Sequence, residues 1–286
     1  MKNRLKDLFL VSGKTRVLLA VMCLDFLFLG VDVVMAHSQT NFFRWALIPI
    51  VYSVIAVLAV LARIMFQATG VMRRAFQAAM WLGVFVGVSG TFFHVTGNAT
   101  SGQVSFHRLL IEGSPVAAPI AFAGIASYAL VSEKHRGTVR RSKLLTLVGF
   151  GFLGAVGAAF FDHGRLDFVP SYTLIPIVSG TLAAMSCFFL AFSKASATET
   201  RIFLYVLALS ALVGLVGFVL HVLGDLAGTE SIVWLRFLYR NPILGPLLFC
   251  NLALLGGLSI LPESNIIEET SKSLNDNAKV RVRQKV

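Results

Sequence analysis

The chain alternates long apolar runs with short polar breaks. Runs long enough to cross a bilayer as a helix, about 20 residues each, lie near 15–36, 45–66, 75–96, 115–132, 143–162, 172–193, 202–223 and 242–261. This pattern predicts an all-α integral membrane protein with eight transmembrane helices. Pro49 and Pro176 fall in the first turns of the second and sixth runs, where the missing N–H of proline costs little. The longer connections at 97–114 and 224–241 likewise end in proline just as the next helix is due to begin.

The pattern also repeats. Shifting the sequence by 127 residues aligns 45–131 with 172–258 without a gap, and 20 of those 87 positions are identical. Shared composition would match leucines, but it would not match proline, glycine, histidine and arginine at one offset. Leu47-Ile48-Pro49-Ile50-Val51 recurs as Leu174-Ile175-Pro176-Ile177-Val178, Arg74 as Arg201, Pro115 and Pro119 as Pro242 and Pro246, and Phe122 as Phe249. The stretch GVSGTFFHVTGN at 87–98 recurs as GLVGFVLHVLGD at 214–225. Upstream the register slips by one, because His37 lies ten residues before Leu47 and His163 eleven before Leu174. The expected organisation is a first four-helix membrane repeat at 1–132, a basic cytoplasmic link at 133–143, a second repeat at 144–261 and a polar cytoplasmic tail at 262–286. An even number of spans returns the chain to its starting side. The two repeats are therefore expected in parallel orientation, related by a pseudo-twofold axis along the membrane normal.

Composition fixes the solvent and the charge distribution fixes the direction. The chain is 56% hydrophobic and 14% charged, with a mean hydropathy of +0.78, outside the range of water-soluble domains. Its net charge of +11 reads as topology, not as a nucleic-acid surface. With the N-terminus inside, all nine lysines and eleven arginines fall on the cytoplasmic side, and only Arg44, Arg108, Arg165, Arg236 and Arg240 fall outside. The positive-inside rule then places both termini in the cytoplasm, and a bacterial inner (plasma) membrane is the expected location. Basic residues, an apolar run and Val34-Met35-Ala36 give the N-terminus the look of a cleavable signal. Asp25 and Asp32 interrupt that run and the segment has a later counterpart, so it is expected to stay as the first helix. Cys23, Cys187 and Cys250 show no metal or disulfide spacing and read as buried apolar residues.

The candidate chemistry lies in the histidines. His37, His94, His163 and His221 close the first, third, fifth and seventh runs, which brings four imidazoles to the extracytoplasmic leaflet. A neutral imidazole tolerates partial burial and offers a lone pair to iron, copper or zinc. Gly87 and Gly90 lie two turns and one turn before His94 on its helix face, as Gly214 and Gly217 do before His221. Such a bare groove suits a flat ring or another helix. One expectation is a haem b between the third and seventh helices, with His94 and His221 as axial ligands and Gly90 and Gly217 making room. Another is a non-haem site in which His37, His94, His163 and His221 hold metal with Asp162 or Asp225. Asn98 and Asp225, four residues after their histidines, would orient imidazoles. Asp25 and Asp32, seven apart on one helix face, mark a candidate proton path, since intramembrane carboxylates are costly and usually face a cavity or a partner.

Several function classes are set aside because their motifs are missing: the chain has no Walker loop, His-Glu-x-x-His, Cys-x-x-Cys or Gly-x-Ser-x-Gly. The preferred reading is a membrane redox protein in the lipid bilayer, served by a quinone or another membrane protein. A transporter using the histidines and aspartates is the alternative from another class, and a non-catalytic assembly or scaffold protein is the third. Arg108, Glu112, Arg236, Tyr239 and Arg240 form an outer basic cluster that suits lipid phosphate.

Overall fold

The structure, a computed structural model, describes residues 13–38, 42–66, 70–100, 114–134, 137–227, 235–237 and 242–261. The described residues contain helices and turns but no strand. The long elements are α1 (Gly13–Ser38), α2 (Leu47–Met65), α3 (Gly70–Thr100), α4 (Ile120–Lys134), α5 (Gly137–Gly164), α6 (Ile175–Phe192), α7 (Ala197–Leu226) and α8 (Leu247–Ile260). Short 3-10 turns at Arg44–Ala46 and Ser171–Leu174 lead into α2 and α6. The start of α7 carries a capping box, in which Glu199 N–H donates to Ser196 Oγ at 3.2 Å and Ser196 N–H donates to Glu199 Oε2 at 2.6 Å.

Among the described residues six helices, α1, α2, α3, α5, α6 and α7, are long and apolar enough to cross a membrane. The sequence predicts eight, and the difference has a local cause. Pro119 and Pro246 have no N–H to extend a helix backwards, so the preceding residues fold as tight turns. Ala118 N–H donates to Pro115 O at 3.3 Å, and Gly245 N–H donates to Pro242 O at 3.2 Å. That leaves α4 and α8 with 15 and 14 residues, roughly 20 Å of helix against a hydrocarbon thickness of about 30 Å. The basic stretch 133–143 is also more helical than expected, since α5 already begins at Gly137 and carries Arg140, 2% exposed, inside it. His107, Arg108, Glu112, His135, Tyr239, Arg240 and the tail from 262 lie outside the described residues.

Each helix packs on its neighbours in sequence, and the ends of each set of four meet. Thus α1, α2, α3 and α4 form one ring, with α4 returning to α1, and α5, α6, α7 and α8 form another, with α8 returning to α5. The groups touch through α4 on α5 and α8 on α1. At that joint the Tyr128 hydroxyl donates to Leu255 O at 3.0 Å, so two positions aligned by the 127-residue shift meet each other. Aromatic edges fill the first group, where Tyr52 meets Phe26 and Phe122 at 5.9 and 5.6 Å between ring centres. In the second group Phe152 and Phe249 lie 6.3 Å apart. The outward faces are apolar, with Phe85, Phe93 and Met185 each more than 60% exposed. A patch of that extent suits lipid, not water.

Candidate functional site

His37 and His163 stand in the last turns of α1 and α5, His94 and His221 within two turns of the ends of α3 and α7, and Arg63 and Glu133 in the last turns of α2 and α4. Each histidine is half-buried. The backbone sets their orientation. His94 Nδ1–H donates to Pro115 O at 2.9 Å, and His221 Nδ1–H donates to Pro242 O at 3.1 Å. Both bonds span 21 residues, and both acceptors belong to the proline turns that precede α4 and α8. His37 Nδ1–H donates to Val33 O, one turn earlier in α1, at 3.1 Å. A carbonyl only accepts, so the proton sits on Nδ1 in each case and the lone pair is left on Nε2.

The imidazoles come together within each group. His163 and His221 lie 6.2 Å apart between ring centres, with their planes at 84°. His94 is within electrostatic reach of His37. In the second group α5 and α7 thus bring one pair of imidazoles together. Among the described residues no three His, Cys, Asp or Glu side chains converge as a metal-holding group. The single cluster of four imidazoles with Asp162 and Asp225 therefore does not assemble, because the two rings of helices carry their histidines separately. Asp162 is exposed and lies within electrostatic reach of both His163 and His221.

The glycines beneath the histidines have a different role from the one expected. A side-chain carbon at Gly87 would stand 2.6 Å from Ala123 N and 2.9 Å from Pro119 O, and one at Gly90 would stand 2.8 Å from Pro119 Cβ. In the second group Gly214 faces Pro246 O at 2.6 Å and Gly217 faces Pro246 Cβ at 3.1 Å. The bare grooves are filled by α4 and α8, the close helix contact that small residues permit. They offer no room for a flat ring at Gly90 or Gly217.

Asn98 and Asp225 also depart from expectation. Asn98 clamps the turn that supplies the His94 acceptor: its Nδ2 donates to Ser114 O and its Oδ1 accepts from Ser114 N–H, both at 2.8 Å. Asp225 is fully buried at the end of α7. There Arg236 Nη1 donates to the carbonyls of Asp225 and Leu226 at 3.1 and 2.8 Å. Asp25 is 7% exposed and hydrogen-bonded by Asn251 of α8, while Asp32 on the same face is half-buried.

Sequence reasoning missed three features. One is the pair of proline carbonyls, although a histidine followed 21 residues later by proline stands in both halves. Another is a buried ion pair at the opposite end, Arg63 Nη2 to Glu133 Oε1 at 3.0 Å, with the more exposed Arg73 at 3.9 Å. The third is Tyr128 at the joint, 2% exposed, whose hydroxyl meets Ser259 Oγ at 2.9 Å.

Apolar outward faces and membrane-length helices are those of an integral membrane protein of the all-helical class. Comparison with protein-family models, curated proteins and solved structures finds no match.

Proposed function

We propose that the protein is a membrane redox protein with two histidine-pair centres, His37 with His94 and His163 with His221, each suited to a b-type haem. The reading takes the chain as two tandem four-helix repeats in parallel orientation, with both termini cytoplasmic and the pairs in the extracytoplasmic leaflet of a bacterial inner membrane. The positive-inside charge split and the 127-residue sequence repeat support that topology. The short α4 and α8 complete the count of eight spans when their proline turns are included.

The observation that carries the reading is the His163–His221 pair, together with Nδ1–H bonds to proline carbonyls at aligned positions in both halves. His163 and His221, whose ring centres stand 6.2 Å apart, would be the residues that hold such a group in the second half. Donation of Nδ1–H to a carbonyl is how metal-bound histidines are usually oriented. Two protein ligands suffice for haem iron, whereas a bare ion generally needs a third; this favours haem over a non-haem ion. A bound haem would supply one-electron chemistry. The chain's own part is to hold the imidazoles, fix their tautomers and exclude water with Phe43, which stands 6.2 Å from His37.

A lipid-soluble donor such as a quinone is consistent with a cleft of about 290 Å³ lined by Leu47, Ile48, Val51, Tyr52, Ile55, Leu82 and Val86. That apolar lining suits an isoprenoid tail. The test is the visible spectrum and iron content of the detergent-purified protein from cells able to make haem. Two haems per chain are expected, with His94→Ala removing one and His221→Ala the other. Protein lacking both haem and metal, or loss of both centres with either single variant, would overturn the reading.

A further inference from the structure

We propose that Asp25 is a proton-carrying carboxyl at the joint between the two four-helix groups, exchanging its proton with the arginine-bearing end through Tyr128 and Ser259. The inference is independent of the histidine pairs. Asp25 is more than nine-tenths buried; Asn251 engages its carboxyl, and its Oδ2 is buried without a hydrogen-bond partner. A membrane-buried carboxyl with an unused oxygen has no structural need for that oxygen and marks a proton or ion route by default. Asp25 sits twelve residues into α1, about 18 Å from its start, near half the depth of the bundle.

The groups around it come from every element at the joint. Tyr128 of α4 lies within electrostatic reach of Asp25 and of Arg140 on α5, and α8 contributes Asn251 and Ser259. On α1 itself Cys23 is half-buried, and α2 presents the uncharged Tyr52 and Ser53. Tyr128, Ser259 and the Leu255 carbonyl form a triangle: Tyr128 to Leu255 O at 3.0 Å, Ser259 Oγ to Leu255 O at 2.7 Å, and Tyr128 to Ser259 at 2.9 Å. Three contacts share only two hydroxyl protons. One contact always lacks a proton, and the hydroxyls can swap which one. A relay needs this freedom. Ser259 is the penultimate residue of α8 and Asn251 lies eight residues earlier, about 12 Å of depth that the Tyr128 side chain has to bridge.

In each transfer a hydroxyl accepts one proton and releases another, so no atom is oxidised and no bond other than O–H changes. The fixed charge of Arg140 opposes a free hydronium beside Tyr128, which makes the exchange concerted. Infrared spectroscopy of the full chain in liposomes, with exchange from H2O into D2O, tests the assignment. The wild type is expected to show a protonated-carboxyl band that Asp25→Asn removes and Asp25→Glu shifts. Tyr128→Phe and Ser259→Ala should keep the band but slow its deuterium shift by about tenfold, the rate cost of one lost hydrogen bond in the path. An identical carboxyl region in wild type and Asp25→Asn would overturn the assignment, as would unchanged exchange in Tyr128→Phe. If Asp25→Asn does not fold, the Glu and Phe variants carry the same test. None of these readouts needs haem, so failure here is distinguishable from failure of the redox reading.

Discussion

A glycine-to-alanine change has opposite signs at two positions ten residues apart on α3, and the structure says why. Alanine gains about 1 kcal/mol over glycine in a helix interior. At Gly97 nothing lies within 4 Å of the added carbon, so Gly97→Ala should keep part of that gain. At Gly87 the carbon would meet Ala123 N at 2.6 Å, Ala123 Cβ at 2.8 Å and Pro119 O at 2.9 Å. Two of those three are backbone atoms, which cannot rotate away, so α4 must retreat from α3 by close to 1 Å. Overpacking of this kind costs about 1–3 kcal/mol or more, which exceeds the helix gain. Gly214→Ala should behave as Gly87→Ala does, since Pro246 O stands at 2.6 Å. At about 2–4 °C per kcal/mol for a chain of this size, thermal unfolding in mild detergent should place Gly87→Ala and Gly214→Ala below wild type. Gly97→Ala should lie at or above it. The retreat also lengthens the 2.9 Å bond from His94 to the Pro115 carbonyl, so Gly87→Ala should loosen the His94 ring. Equal melting temperatures for Gly87→Ala and Gly97→Ala would refute the packing argument.

Glu133→Gln leaves the Arg63 guanidinium buried beside a neutral amide, and breaking such a pair from one side costs about 3–5 kcal/mol; a melting shift within a degree of wild type would contradict it. Replacing both partners, as Arg63→Met with Glu133→Leu, should recover most of the loss in the same assay, because no buried lone charge remains and Arg73 is exposed. Asn98→Ala removes both bonds to Ser114 and should loosen the turn that orients His94. On the proposed haem reading, loss of one of the two centres, read by spectrum, is the expected result, while loss of both would argue against a local role.

The apolar runs made six long helices legible, because lipid imposes a length and the sequence states it directly. The shortening of α4 and α8 was written in Pro119 and Pro246, yet a proline near a run's start is equally compatible with a first helical turn. Only the geometry of the preceding residues separates the two. The repeat revealed which positions matter as pairs, but not what they touch. Helical spacing puts Gly87 and Gly90 on the face of His94 without saying whether a ring or α4 fills the groove. The acceptor for His94 lies 21 residues away and the partner of Arg63 lies 70 away, distances over which local pattern carries no information. Charges near helix ends were read as marks of orientation, and that reading hides the ones folded inward. Arg140, in the stretch expected to be a basic cytoplasmic link, is almost wholly buried.

One pair of contacting positions differs between the groups in a compensating way, and this gives the sharpest test of whether the two rings share one packing scheme. Tyr52 and Gly83 of the first group stand where the second has Ser179 and Ser210. In the first, the Tyr52 hydroxyl occupies the space that a side chain at Gly83 would need. In the second, Ser210 Oγ donates across the same contact to Ser179 O at 3.2 Å. A large residue against none has become two small ones, a trade possible only if the helices meet at the same points. Gly83→Ser alone should therefore cost about 1–3 kcal/mol through collision with Tyr52. In a Tyr52→Ser background, itself weakened by about 3–5 kcal/mol through the lost aromatic packing, the same change should be neutral or stabilising. The new hydroxyl then has the partner that Ser210 has, and serine outranks glycine in a helix. A double-mutant cycle read by thermal unfolding should give a coupling of about 2–3 kcal/mol, at the upper end for residues in contact. If Gly83→Ser costs the same in both backgrounds, the two rings do not share that contact and the sequence repeat does not extend to packing at this point.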